Sequence, residues 1–180
     1  MRISRENTLA LVVDIQERLF PVMHEKETLL NNCQVLIQGL NALKIPLVVT
    51  QQYTRGLGET LSEISSLIPG FSYTEKTAFS CYDVEEVRGQ IQNLKAKNIL
   101  LFGIESHVCV LQTAVDMKEA GLNPIVVMDA VSSRTPQNIE LAKERFRHEG
   151  IMMTSYESIL FELTRVAGSD EFKSISKLVK

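Results

Sequence analysis

Apolar residues in this chain are grouped in blocks. Short continuous apolar runs recur, and between them lie longer segments with apolar residues three and four positions apart. Thr8 to Asp14 (TLALVVD), Ile45 to Thr50 (IPLVVT), Ile99 to Phe102 (ILLF) and Pro124 to Ala130 (PIVVMDA) are the runs. Unbroken runs of this length predict strands covered on both faces, as in a parallel sheet. Proline is tolerated at the start of a strand, which suits Pro46. Phe71 to Cys81 reads as a short strand leading into a loop, and Ile151 to Thr154 as a last short strand.

The intervening segments predict helices. Glu27 to Leu43 places Leu29, Cys33, Leu36, Ile37 and Leu40 on one side, and Asp83 to Lys97 does the same with Val84, Val87, Ile91 and Leu94. Glu59 to Pro69 reads as a short amphipathic helix ended by Pro69-Gly70. Further helices are expected from Val108 onward, after Thr135-Pro136, at Glu157 to Val166 and at Asp170 to Val179. Thr135 suits a cap and Pro136 the first turn. Strands alternating with helices predict an α/β protein: a three-layer α/β/α sandwich with a mainly parallel, Rossmann-like sheet of five to six strands. The 180 residues are read as one domain, 1–180, with no repeat, low-complexity tract or linker.

Composition narrows the partners. The net charge is −3, which gives no basic excess to neutralise phosphates, so nucleic acid is not expected. No apolar run approaches the roughly 20 residues that span a bilayer. The amino end, Met1 to Asn7, carries no signal-peptide core. Three scattered cysteines make neither a disulfide framework nor a zinc site, and a reducing cytoplasm fits them best. No metal and no cofactor are expected, and the partner is a small-molecule substrate. The apolar side of Asp170 to Val179 (Phe172, Ile175, Leu178, Val179) either docks on its own domain or supports a homo-oligomer; self-association is expected.

Candidate chemistry gathers at the ends of the apolar runs. Ile99 to Phe102 is broken by Gly103, and Glu105-Ser106-His107 leads into a helical pattern with Cys109 at its entry. A thiol at a helix N-terminus sits where negative charge is favoured, which predicts easier ionisation than the free value of about 8.5. Asp14 closes the first run and would share the same sheet edge. Lys76 follows the third strand, in a polar patch between aromatic residues. A carboxylate, an ammonium and a thiol in one crevice can move a proton and hold a thiolate. Cys33 reads as core. Cys81 has no helix-entry turn around it and ranks behind Cys109, while Asp129 ranks behind Asp14 as a loop-stabilising acid. Gly56-Leu57-Gly58 is a weak phosphate-loop signal.

Three segments taken together, Val12-Val13-Asp14-Ile15-Gln16, Glu75-Lys76-Thr77-Ala78-Phe79 and Gly103 to Val110, resemble the isochorismatase-like cysteine hydrolase superfamily. Gln51-Gln52-Tyr53 and Asp129 to Arg134 are most similar to the short isochorismatase-domain-containing proteins. The resemblance implies an Asp–Lys–Cys triad at Asp14, Lys76 and Cys109. It also implies a non-proline cis peptide before Glu105, and an oxyanion hole from the N–H groups of Glu105 and Cys109. Gln16, Phe20, Gln52, Tyr53, Arg55 and Phe79 are the expected pocket walls. The implied activity is hydrolysis of a small amide or amide-like C–N bond through a thioester. A vinyl-ether hydrolase with an incidental Cys109 and a non-catalytic binding protein are the alternatives. Nicotinamidases of the superfamily carry a metal on an Asp-x-His pair after the second strand. Here Gln51-Gln52-Tyr53 stands in that place.

Overall fold

A computed structural model describes residues 2–180. Its centre is a six-stranded, fully parallel sheet in the order β3-β2-β1-β4-β5-β6. The strands are β1 (Thr8–Val13), β2 (Leu47–Gln52), β3 (Thr74–Lys76), β4 (Asn98–Ile104), β5 (Asn123–Ser132) and β6 (Met152–Thr154). Every residue of β1 and β4 is buried, as their unbroken apolar runs require.

Helices cover both faces. On one lie α1 (Lys26–Ala42), α7 (Tyr156–Thr164) and α8 (Asp170–Leu178), which pack on one another. On the other lie α4 (Glu85–Asn93), α5 (Leu111–Glu119) and α6 (Pro136–His148); two single turns, α2 (Thr54–Leu57) and α3 (Ser62–Ser65), follow β2. The apolar stripe of α1, from Leu29 through Cys33, Leu36 and Ile37 to Leu40, is buried. Thr135 caps α6, its hydroxyl accepting from the Asn138 N–H, with Pro136 opening the helix. Helix α8 buries Ile175 and lies against α1 and α7, so its apolar side is spent inside its own chain.

Several elements differ from the sequence expectation. The helix expected over Glu59 to Pro69 shortens to one turn, Ser62–Ser65, while Ile64 and Ile68 are buried and Leu61 and Leu67 pack against the core. The strand expected within Phe71 to Cys81 is three residues long and ends on Lys76. Strand β5 runs beyond Ala130 to Ser132, with an irregularity opposite Leu101 and Gly103 that leaves Asp129 inside the strand. Asp129 Oδ1 accepts from the Tyr156 N–H at 2.8 Å, holding the entry of α7.

The strand order has a mechanical consequence. The chain leaves β1 toward β2 in one direction and leaves β4 toward β5 in the other, so a crevice opens between the carboxyl ends of β1 and β4. Gly103 lets these two strands approach there. Its φ is +119°, and a Cβ would stand 2.1 Å from the Val13 carbonyl oxygen.

Candidate active site

Asp14 is the first residue beyond β1 and has φ +49°, with its side chain fully buried at the crevice. Lys76 is the last residue of β3, and its Nζ lies 2.7 Å from Asp14 Oδ2. The ammonium also donates to Gln52 Oε1 at 2.7 Å and to the carbonyls of Ala78 and Phe79, each at 3.1 Å. Burial alone would favour the neutral amine, but the charge of the Asp14 carboxylate, the largest opposing effect, raises the Lys76 pKa. Lys76 is therefore a cation.

Asp14 Oδ1 accepts from the Thr50 hydroxyl at 2.8 Å. Oδ2 faces the Lys76 ammonium at 2.7 Å. The Cys109 thiol is close enough for the Asp14 charge to act on it.

The turn that carries Cys109 is wider than an α-helical turn. The Ile104–Glu105 peptide bond is cis. Ser106–Val110 forms a π-helical segment that runs directly into α5, with the Val110 N–H bonded to the Glu105 carbonyl at 3.2 Å. Four contacts tie this turn to the loop after β5. Arg134 donates to Glu105 Oε2 from its backbone N–H at 3.2 Å and from Nε at 3.1 Å. The hydroxyls of Ser106 and Ser133 lie 2.5 Å apart, and His107 Nδ1 lies 2.9 Å from the Ser133 hydroxyl.

The thiol departs from its expected state. Burial first, and the Asp14 charge second, push Cys109 up to about 12 against the smaller opposing pull of Lys76. Desolvation outweighs the helix terminus, so at rest Cys109 is a neutral thiol beside an ion pair. Cys109 retains 7% exposure while Cys33 and Cys81 have none.

The other expected site residues divide into two groups. Gln52 touches the ammonium and also donates to the Thr77 carbonyl at 2.8 Å. Phe79 contributes its carbonyl to Lys76 and leaves its ring exposed; Tyr53 is exposed on the neighbouring loop. Gln16 is fully buried. Its Nε2 donates to the carbonyls of Gln52 and Gly58, and its Oε1 accepts from the Gln52 N–H, so its amide is already engaged. Phe20 is half-buried in a short 3₁₀ turn, Phe20–Val22, and Arg55 is exposed in α2. Sequence reasoning passed over Thr50, Thr113, Ser106, Ser133 and Arg134, and ranked Cys81 as a rival nucleophile.

A metal does not suit the end of β2. Gln51 donates to Glu59 and Thr60 and accepts from the Thr54 hydroxyl, so its amide is committed. Among the described residues, no three His, Cys, Asp or Glu side chains cluster in a way that could hold a metal ion. No described helix is long and apolar enough to cross a membrane.

Residues 8–158 match the isochorismatase domain. The chain belongs to the isochorismatase family. It is 40% identical over 183 residues to the secreted isochorismatase effector Isc1 of Phytophthora sojae, covering 99% of this chain and 87% of that protein. Among solved structures, the one titled MAR1 ribonuclease from Caenorhabditis elegans is 33% identical with a TM-score of 0.94, covering 99% of this chain and 92% of that one. The YcaC gene product of Escherichia coli, titled an octameric hydrolase of unknown specificity, shares the fold: TM-score 0.93 at 21% identity, over 99% of this chain and 89% of that one.

Proposed function

We propose that this isochorismatase-family protein hydrolyses a small amide or amide-like C–N bond through a thioester on Cys109. The observation that carries the reading is the buried Asp14–Lys76 pair at the entry of the Cys109 turn. Oδ2 stands 2.7 Å from the Lys76 ammonium, which shares its three protons with three further oxygen acceptors, and the neutral Cys109 thiol is near enough for the Asp14 charge to act on it. A base poised in this way takes the thiol proton as the sulfur attacks, so no resting thiolate is needed.

The steps balance around that oxygen. The Cys109 proton moves to Asp14 Oδ2 while the sulfur bonds to the carbonyl carbon. The N–H groups of Glu105 and Cys109 serve as the oxyanion donors. Collapse breaks the C–N bond, and the departing nitrogen takes the proton from Asp14. Asp14 then removes a proton from water, which attacks the thioester; the acid leaves and the proton returns to the sulfur. Lys76 orients Asp14 throughout and pairs with its charge whenever it is deprotonated. No step requires a metal. Gln52, Tyr53, Phe79, Phe20 and Arg55 form the mouth and walls for the substrate, and Gln16 holds the loop that carries them.

A net charge of −3 and a thiol only 7% exposed support a small substrate in preference to a polymer, whatever the name of the nematode structure. The free, buried cysteines support a reducing compartment such as the cytoplasm. The Phytophthora relative is named as secreted, so cell fractionation is the check. The function is tested by screening small amides, ureides and isochorismate for release of amine, ammonia or pyruvate. Amine or ammonia release supports the reading, and cleavage of isochorismate alone replaces it with the vinyl-ether reaction.

A further inference from the structure

Thr50 and Cys81 lie against the ion pair, and the steps above use neither. Both are fully buried. Thr50 is the β2 residue in register with Val13, so it stands beside the point where the chain turns out at Asp14. Its carbonyl accepts from the Asp14 N–H at 3.3 Å, and its hydroxyl lies 2.8 Å from Asp14 Oδ1. The same hydroxyl oxygen is 3.6 Å from Cys81 Sγ. The Cys81 backbone is fixed in turn, its N–H donating to the Thr113 hydroxyl at 2.8 Å.

Proton counting decides the direction of these contacts. A threonine hydroxyl has one proton, and an ionised carboxylate can only accept. The Thr50 proton therefore points at Asp14, and the Cys81 contact must run the other way, with the thiol donating to Thr50. Cys81 is suited to stay protonated, since burial first and the Asp14 charge next push it up to about 11.

Resting on the reading that Asp14 takes the Cys109 proton, we infer that Thr50 is a positioning residue and Cys81 its anchor. Together they form a relay that occupies Asp14 Oδ1, so that Oδ2 is the oxygen that takes the Cys109 proton. Cys81 is a hydrogen-bond donor one step behind the base, not a second nucleophile.

The test is the rate at which iodoacetamide alkylates Cys109 in the full chain, followed by peptide mass mapping from about pH 6 to about pH 10. Asp14, Lys76 and Cys81 are the titratable groups that act on this thiol. Assistance by a positioned carboxylate gives a rate that is nearly flat with pH, whereas an unassisted thiol gains about tenfold per pH unit below its pKa. Thr50→Val keeps the shape without the hydroxyl. It should lose the flat component, slowing neutral-pH alkylation about tenfold or more, and Thr50→Ser should recover it to within about threefold. Should Thr50→Val not fold, Cys81→Ala reads the relay from its far end by steepening the same profile. A flat, wild-type profile in Thr50→Val or Cys81→Ala overturns the relay, as does alkylation of Cys81 as fast as Cys109. Asp14→Asn separates the two levels. A wild-type profile there removes the base itself, while a changed profile there with an unchanged Thr50→Val removes only the relay.

Discussion

Lys76 Nζ and Asp14 Oδ2 sit 2.7 Å apart with both side chains shut off from solvent, and the same ammonium faces Gln52 Oε1 and the carbonyls of Ala78 and Phe79. Four oxygens thus share three N–H protons, and the lysine orients the carboxylate it pairs with.

Removing one member of such a pair leaves the other charge buried alone, at a cost of about 3–5 kcal/mol. Asp14→Asn and Lys76→Met should each lower stability by about that amount in urea unfolding. The double variant should lose less than the sum, because neither charge is then stranded. Additive losses would show that the two side chains do not interact.

Access ranks the thiols. Cys109 is 7% exposed and the other two not at all, so iodoacetamide should modify it before Cys33 and Cys81. Modification should still be slow compared with a free cysteine, because the thiol is pushed up to about 12. Peptide mapping after partial labelling is the check, and early modification of Cys81 would move the nucleophile.

Cysteine burial also predicts a pH dependence of stability. All three thiols are raised in the folded state, Cys81 to about 11 and Cys109 to about 12, with Cys33 raised further by its burial. Above about pH 8.5 the unfolded chain sheds thiol protons that the folded chain retains, so stability falls as pH rises, by up to about 1.4 kcal/mol per unit for each thiol. Lys76, whose pKa is also raised, contributes stability that is fully present below the ordinary lysine value of about 10.4 and is lost as pH rises from there through its folded value. Urea unfolding at several pH values between about 7.5 and 10 should show a steady decline, and a flat curve would contradict the thiol assignments.

Self-association should be detectable. Helix α8 no longer argues for it, being docked on α1 and α7. Tyr53 and Phe79, each more than half exposed on adjoining loops, do. Light scattering at micromolar concentration should return a multiple of the 20.2 kDa chain, and a strict monomer would end the expectation.

Asp14 and Cys109 were legible as candidates because each comes after a buried apolar run, and parallel strands deliver the residues after them to one edge; Lys76 was read from a polar patch between aromatic residues, and it ends β3. Strand β3 shows the limit: three residues carry too little pattern to fix their ends. Thr50 and Cys81 were not legible as a pair. Their contact joins β2 to a 3₁₀ turn at Cys81–Asp83 across the sheet edge, and no local spacing encodes it. Gln16 carried the wrong emphasis for the same reason, since only the fold reveals that its amide ties two loops. The Cys109 ionisation was misjudged because the helix terminus is visible in sequence while depth of burial is not.

The central claim is that Cys109 forms a covalent acyl intermediate with Asp14 as its base. The most direct measurement is electrospray mass analysis of the protein quenched during turnover of the first amide substrate found, run beside Cys109→Ala and Asp14→Asn. The account predicts an acyl adduct on Cys109 in the unaltered protein, with neither adduct nor turnover in Cys109→Ala, and acylation slowed by about two orders of magnitude or more in Asp14→Asn. Full turnover by Cys109→Ala would contradict it.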